Sequence, residues 1–275
     1  MELKEIRQKI DVIDTEMAKL FVSRMEAVNE VAAYKSERGL AIEDLAREKQ
    51  LIEDKSMLIE DEEIRDLYIS FLQSVMDISK KYQRRQMYGL RVACAGAADS
   101  EGPAAASAIF PESELVKYAH CSEAYKAAES GECDVAVLPL ENSYSGEVGK
   151  VYDYIFSGSM FVNEVHSIEQ GDSTTRYAVL SNAANRAAPG NEDEALLVMF
   201  TVKDEIGGLA KAINIISAYD YNMRVMRSRP MKDLPWHYYF YAELVGSCTE
   251  ESSERIVRAL HAACPVVKIV GVYKI

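Results

Sequence analysis

The first 86 residues of this 275-residue chain contain no proline and a single glycine, Gly39. The rest of the chain holds all seven prolines and every other glycine. Because these two residues interrupt regular secondary structure, the contrast predicts long helices in the first part and mixed α and β structure after it. The composition changes near residue 88, which we take as the first domain boundary.

Other absences narrow the class of protein. No stretch reaches the ~20 apolar residues of a membrane helix, and the first ten residues lack the apolar segment of a secretory signal. The net charge of −13 argues against nucleic acid or an anionic membrane as the main partner. The five cysteines are scattered without a CxxC pair, so we expect reduced thiols in the cytoplasm, with no metal and no cofactor.

Apolar residues recur at three- and four-residue steps from Leu3 to Leu20. This spacing predicts an amphipathic helix over 3–37, then a short helix over 43–54 and a third over 61–86. A single helix as long as the first cannot bury its apolar side alone. We therefore expect two chains to pack together.

Polar residues interrupt the apolar side of the first helix. The heptad through Leu3, Ile10 and Met17 continues to Arg24, and Lys35 borders the same side. A buried, unpaired cation is costly, so each of these needs an anion nearby. Salt bridges within or between chains would supply one, and so would a small dianionic ligand. Further polar candidates share faces on the other two helices: Asp44, Arg47 and Glu48 on the second, Ser79 and Gln83 on the third.

Residues 1–87 resemble the chorismate mutase domain of bifunctional chorismate mutase/prephenate dehydratases. The matching stretches are IRQKID, RMEAVNEVAAYK, EDLAREKQLI and SVMDISKKYQ. The resemblance implies an all-α domain of three helices that converts chorismate to prephenate by a Claisen rearrangement. It implies catalytic roles for Arg7, Arg24, Lys35, Arg47, Glu48 and Gln83, and substrate binding by Asp44 and Ser79.

The position of Arg7 adds an expectation about assembly. It lies seventeen residues before Arg24, or about 25 Å along a straight helix, too far to serve the same pocket. An antiparallel partner helix could bring it there. The resemblance likewise implies an intertwined homodimer in which Arg7 completes the site of the other chain.

Residues 88–192 resemble a prephenate dehydratase domain, an α/β lobe of the periplasmic-binding-protein kind. The stretches DVAVLPLENSYSGEV and TRY match two motifs of that family, and the threonine of the second motif is catalytic there. Strands separated by helical patterns predict a parallel sheet. The residues carried over from the two motifs are Glu141, Asn142, Ser143, Thr175 and Arg176.

Two departures from the dehydratase pattern suggest that this activity is lost. The family's GxxGxYS motif has become Gly96–Gly102, with two acidic residues where an anionic substrate should bind. Eleven residues separate Asn163 from Thr175, where the family has some tens of residues that build most of a second lobe. We therefore expect a reduced lobe with an incomplete cleft.

Residues 193–275 show the βαββαβ order of a ferredoxin-like α+β fold. They resemble an ACT domain of the phenylalanine-binding kind at Glu205–Leu209 and Arg227–Pro230. The resemblance implies an aromatic amino-acid effector, with phenylalanine favoured. A dimerisation module that binds nothing is the alternative. The implied effector-binding residues are Gly207, Gly208, Leu209, Ser228, Arg229 and Pro230.

These features predict a multidomain chorismate mutase of phenylalanine and tyrosine biosynthesis, feedback-regulated through its C-terminal domain, with chorismate and prephenate as its small-molecule partners. Two alternatives stay open. One is a bifunctional enzyme that makes phenylpyruvate, and the other is a non-catalytic aromatic amino-acid sensor. A pure sensor would have no reason to keep cations on an apolar helix side.

Overall fold

A computed structural model describes residues 3–184, 194–232 and 234–274, and the chain divides into two compact units, 1–90 and 91–275. The predicted boundary between the second and third domains, at 192/193, lies outside the described residues. Within the described ranges, no helix is long and apolar enough to cross a membrane.

The first unit consists of three helices whose ends agree with the predicted ends to within two residues. They are α1 (Leu3–Arg38), α2 (Leu45–Ser56) and α3 (Glu62–Tyr88). The carboxylates of Asp44 and Asp61 accept backbone amide hydrogen bonds of 3.0 Å and so cap α2 and α3. Gly39 follows α1 with a φ of +63°, which glycine adopts without strain.

The second unit begins with a six-stranded mixed sheet flanked by three helices. Its strand order is β2-β1-β3-β6-β5, with the short β4 paired to β3. The elements are β1 (Arg91–Ala95), α4 (Glu101–Ile109), β2 (Glu114–Tyr118), α5 (Cys121–Ser130), β3 (Val135–Asn142), β4 (Gly146–Glu147), α6 (Gly149–Ser157), β5 (Phe161–Gln170) and β6 (Ser173–Ser181).

The prediction of a parallel sheet is wrong for β4 and β6, which run opposite to the other four strands. β1 runs parallel to β2 and β3, but β6 pairs antiparallel with β3 and β5 antiparallel with β6. The reason is the connection between β5 and β6, which is the two-residue turn Gly171–Asp172. A parallel pair needs a crossover of a dozen residues or more, so a two-residue turn enforces a hairpin.

The chain then forms a four-stranded antiparallel sheet with two helices. The strand order is β10-β7-β9-β8, and the elements follow one another as βαββαβ. They are β7 (Glu194–Thr201), α7 (Gly208–Ala218), β8 (Asn222–Pro230), β9 (Tyr238–Val245), α8 (Glu250–Leu260) and β10 (Val267–Lys274).

Strand β7 is buried along its whole length because its two faces enter different cores. Phe200 packs with α7 and α8 in one core, whereas Leu197 and Met199 pack with Leu138 and Tyr152 in the other. The sheet of the C-terminal region (residues 194–274) therefore has that region's own helices on one face and the middle region (residues 91–184) on the other. The two regions share a hydrophobic core.

Candidate functional site

Two of the residues predicted for the mutase site, Arg24 and Ser79, meet where α1 packs on α3. The Nη1 of Arg24 donates to the Ser79 hydroxyl, which itself donates to the carbonyl of Val75 at 2.6 Å. Ser79 is buried, and burial lowers the pKa of the Arg24 guanidinium. Because its partner is a neutral hydroxyl, this contact does not neutralise the cation.

Gln83 lies one helical turn beyond Ser79 and is also buried. Its Oε1 accepts no hydrogen bond from the residues that the structure describes. An amide group left in this state costs about 1–3 kcal/mol. A ligand or an ordered water can supply the missing partner of such a group.

Lys35, Asp44 and Arg47 lie around the connection between α1 and α2. The ammonium of Lys35 donates to the carbonyl of Ile42 at 2.5 Å. Asp44 accepts from the backbone amide of Arg47, and the Arg47 side chain is exposed. The hydrogen bond from the Arg47 amide to Asp44 therefore fixes the backbone of the first turn of α2, which carries these polar side chains.

Lys80 is a site residue that the sequence did not suggest. Its ammonium lies 3.1 Å from a carboxylate oxygen of Glu48 and 3.0 Å from one of Asp77. The hydrogen bonds that Lys80 donates to Asp77 and Glu48 raise the pKa of Lys80 against the effect of burial. The sequence offered only the Asp77 pairing at i,i+3, which is typical of a solvated helix surface. Lys80 holds Glu48 in place at the α2–α3 contact.

Arg7 is exposed near the start of α1. Because α1 is one continuous helix, Arg7 lies about 25 Å from Arg24 along the axis. The structure of one chain does not bring it to the other mutase residues.

Asn142 and Thr175, predicted from the dehydratase motifs, are hydrogen-bonded to each other. The Nδ2 of Asn142 donates to the Thr175 hydroxyl at 2.8 Å. Its Oδ1 accepts from the amides of Tyr144 and Ser145 at 2.9 and 3.0 Å. Ser143 accepts at its hydroxyl from the amide of Thr174 at 3.0 Å. This network fixes the turn after β3 onto β6.

Two adjoining cavities of about 560 Å³ each lie beside this network. They share Ala95, Cys121 and Val148 as lining residues. Asn142 and Thr175 line one of them, together with the acidic Glu101. Part of a binding cleft therefore exists here, at the carboxyl ends of the parallel strands.

Arg176 and Glu141, the remaining two residues of the dehydratase motifs, lie at the interface with the C-terminal region. The guanidinium of Arg176 bonds a carboxylate oxygen of the buried Glu243 at 2.8 Å and lies 3.8 Å from Glu141. Burial alone would lower the pKa of Arg176, but the bond with Glu243 and the charge of Glu243 raise it.

The predicted effector residues do not converge on one place. Gly207 adopts a φ of +78° just before α7, and a Cβ on Gly208 would lie 2.4 Å from the Lys203 carbonyl, so glycine is needed at both positions. Leu209 lines a cavity of about 460 Å³. The Arg229 side chain instead bonds acidic residues of the middle region. Ser228 and Pro230 are exposed on the edge strand β8.

The cavity beside Leu209 has an aromatic lining that the sequence analysis missed. Trp236, Tyr238 and Phe240 contribute to it. Trp236 is 89% exposed and has a φ of +65°, an uncommon backbone conformation for a bulky residue. Trp236 is the single tryptophan of the chain, which could have marked it as a candidate binding residue. No sequence pattern, however, indicates that it lies near α7.

Comparison with known proteins gives two family matches. The family of type II chorismate mutases matches residues 6–84, and the prephenate dehydratase family matches 92–170. A bifunctional chorismate mutase/prephenate dehydratase from Aquifex aeolicus is 22% identical over 366 aligned positions, covering 99% of this chain and 98% of the relative. Since this chain has 275 residues, part of the relative has no counterpart here.

Three solved structures resemble part of the chain. Prephenate dehydratase from Streptococcus mutans has a TM-score of 0.60 at 24% identity, over 67% of this chain and 98% of that one. Prephenate dehydratase from Arthrobacter aurescens in complex with L-Phe has a TM-score of 0.59 at 14% identity, over 68% and 90%. GqqA, described as a novel type of quorum-quenching acylase, has a TM-score of 0.60 at 20% identity, over 67% and 95%. These likenesses establish a shared fold.

Proposed function

The chain belongs to the family of bifunctional chorismate mutase/prephenate dehydratases of aromatic amino-acid biosynthesis, and on that premise we propose that it acts as a chorismate mutase. The observation that carries this proposal is the buried end of α3. There Arg24 contacts Ser79, and Gln83 keeps a buried amide oxygen without a partner among the described residues. This group of residues suits a ligand with anionic and ether oxygens.

The reaction asks for no nucleophile and no proton transfer, because chorismate becomes prephenate by an intramolecular Claisen rearrangement. The protein accelerates it by holding the reactive conformer. It also directs cations at the oxygen on which negative charge develops as the C–O bond breaks.

The family resemblance supplies a role for each residue in this proposal. The two carboxylates of chorismate are held by Arg24, Ser79 and the Arg7 of a second chain, with Arg47 in support. The ring hydroxyl is held by Glu48 and the segment at Asp44. The ether oxygen receives hydrogen bonds from Lys35 and Gln83. Lys80 positions Glu48 for its role.

We propose a homodimer, and the apolar side of the helices supports it. Of the described residues of α1, Ala32 is the one that is buried. Leu20 is 70% exposed and Ile13 58%, and Leu67 of α3 is 67% exposed. Burying apolar surface is worth about 25 cal/mol per Å², so a second copy of these helices is the partner that fits this surface.

The mutase proposal is tested by following the loss of chorismate in the presence of the purified full chain. We expect turnover well above the uncatalysed rate. Gln83→Met keeps the size of the side chain but removes its amide, so turnover should fall while the helical circular dichroism stays unchanged. Wild-type protein that leaves chorismate unconsumed would overturn the proposal and favour the sensor.

The dehydratase activity is proposed to be lost. The turn Gly171–Asp172 stands where the family builds most of its second lobe. The Thr175 hydroxyl is engaged by Asn142, and Arg176 is directed to Glu243. The remaining cavity beside Thr175 is the observation that keeps the bifunctional alternative open.

We propose that the C-terminal cavity beside Leu209 binds an aromatic amino acid, with L-phenylalanine as the first choice. The start of α7 borders this cavity through Leu209, and Trp236 and Phe240 offer an apolar lining. The likeness to the L-Phe complex from Arthrobacter aurescens supports the choice of ligand.

Trp236 provides the readout for this test. L-Phenylalanine should change the emission of Trp236 in a saturable manner and release heat in calorimetry, whereas L-lysine should do neither. No response to L-phenylalanine by either method would favour the alternative of a dimerisation module.

A further inference from the structure

Helix α6 of the middle region lies flat against the sheet of the C-terminal region. The ring of Tyr152 stacks on that of Tyr241 with centroids 4.0 Å apart and planes 9° apart. Phe156, one turn later, stacks on Tyr239 at 4.2 Å and 6°. Two parallel stacks from one helix face fix both the position and the rotation of α6 on the sheet.

Arg229 joins the same two elements through a two-sided ionic contact. Its Nε and Nη2 bond the two carboxylate oxygens of Asp153 at 2.8 and 3.1 Å, and its Nη1 bonds Glu147 at 2.8 Å. The hydroxyls of Tyr239 and Tyr241 donate to the same two carboxylates at 2.8 and 2.5 Å. Each of the four carboxylate oxygens therefore has a donor.

Gly149, the first residue of α6, leaves space for this contact. A Cβ at that position would lie 1.7 Å from Nη1 of Arg229. The φ of Gly149 is outside the left-handed region, so the backbone does not require glycine. An alanine at position 149 would occupy the space that the Arg229 guanidinium fills.

Lys268 of β10 holds the other end of α6. Its ammonium donates to the carbonyls of Ile155 and Gly158 at 2.6 and 2.5 Å, at the end of the helix where carbonyls lack helical partners. Burial lowers the pKa of Lys268. Contacts therefore hold α6 at its start, along its face and at its end.

We propose that Arg229 is a positioning residue that fixes the C-terminal sheet on α6, and that the middle region serves this chain as the support of that sheet. This role goes beyond mutase activity and differs from the effector-binding role that the sequence implied for Arg229. A ligand carboxylate would have to compete with Asp153 and Glu147 for Arg229. Supporting the C-terminal sheet is also a role for the middle region that does not depend on dehydratase chemistry.

The test uses hydrogen exchange, read by mass spectrometry on the full chain. Arg229→Met keeps the apolar stem and removes the guanidinium donors, which leaves Asp153 with Lys232 at 3.8 Å and Glu147 with the Tyr241 hydroxyl. Amides of α6 and β9 should then exchange about tenfold faster or more, while those of α1–α3 stay unchanged. Arg229→Lys should restore part of the protection, because lysine keeps the charge but not the two-sided geometry.

Gly149→Ala is the second variant, and it retains every polar group. It should speed exchange in α6 of the otherwise unchanged chain, because the new methyl group displaces the guanidinium. In an Arg229→Met background it should add nothing, or slow exchange slightly through its better helix propensity.

Two results would overturn the proposal. One is α6 exchange that Arg229→Met leaves unchanged. The other is an equal effect of Gly149→Ala with and without Arg229. Loss of the Trp236 response to L-phenylalanine in Arg229→Met, with exchange unaltered, would return Arg229 to the effector site.

Discussion

Arg24 occupies a position where the apolar repeat of α1 calls for a hydrophobic side chain. Its contact with the buried hydroxyl of Ser79 shows how a cation is accommodated there without being neutralised. A salt bridge would have explained this arginine by stability alone. A neutral partner leaves the charge for a ligand, so the mutase proposal rests on this distinction at the scale of single residues.

Arg24→Ala and Lys35→Ala should each lower mutase turnover by about 100- to 1,000-fold, because each removes a cation that faces negative charge in the transition state. Initial rates with chorismate measure the effect. Lys19→Ala is the matched control, since Lys19 lies on the same helix in an exposed pair with Glu16. Near-normal turnover in either site variant, with the dimer intact, would contradict the assignment.

The stability of the second unit should fall at alkaline pH, in part because of the buried thiols of Cys248 and Cys264. Burial raises the pKa of Cys248 and of Cys264 to about 11. Because the folded pKa is raised, the stabilisation is complete below the ordinary thiol pKa and is lost as the pH rises from about 9 to about 11. Two pKa units correspond to at most about 2.7 kcal/mol per thiol.

Urea unfolding of the second unit at several pH values measures this loss. Replacing both cysteines by alanine should flatten the pH dependence between about pH 9 and 11. The same slope in wild-type protein and the double variant would contradict this role of Cys248 and Cys264, because the other thiols, the tyrosines and the lysines would then explain the whole effect.

Residue roles were predictable where one helix or one motif carries them, and not where the partners are far apart in sequence. Arg24, Ser79 and Gln83 could be placed from helical spacing and resemblance. Arg229 could not, because its partners Glu147 and Asp153 lie 82 and 76 positions earlier. Contacts at such separations depend on how α6 packs on the sheet. The periodicity of the sequence gives no information on that packing.

At the scale of elements, the long periodic segments were predicted most accurately, and some short elements were missed. The three helices of the first unit repeat over many turns, so their ends were correct to within two residues. β2, α5 and α6, which span five, ten and nine residues, were missed. The direction of β6 was wrong because the turn at Gly171, rather than the strand pattern, determines it.

Gly271 lets strand β10 approach strand β5 closely. A Cβ at this position would lie 1.8 Å from the backbone carbonyl oxygen of Val162. Gly271→Ala should therefore destabilise the second unit by about 1–3 kcal/mol, since a backbone atom cannot move aside cheaply. Urea unfolding measures the change, with the helical signal of the first unit as internal control. An unchanged midpoint would show that the two strands separate easily.

At the scale of the whole molecule, the account requires two chains for each mutase site. The exposed apolar side of α1 and the distance from Arg7 to Arg24 both point to a shared site. In a dimer of an Arg7→Ala chain and a Lys35→Ala chain, one site carries both substitutions and the other carries neither. The variants are inactive alone for different reasons, so mixing can restore a complete site.

Random exchange of the two variants should restore about a quarter of wild-type activity, since half of the dimers are mixed and each has one complete site. Turnover of the mixture measures the recovery, and mass spectrometry of intact dimers confirms the exchange. Confirmed exchange without recovery would contradict the shared site.

The most direct measurement is to incubate the purified chain with chorismate at neutral pH and identify the products without an acid step, since acid converts prephenate non-enzymatically. We expect prephenate and no phenylpyruvate, because Arg24 and Ser79 of the proposed mutase site meet and the cleft beside Thr175 is proposed to lack its second lobe. Phenylpyruvate would show that the remaining cavity at Thr175 still catalyses dehydration. Unconsumed chorismate would contradict the central claim that this chain is a chorismate mutase.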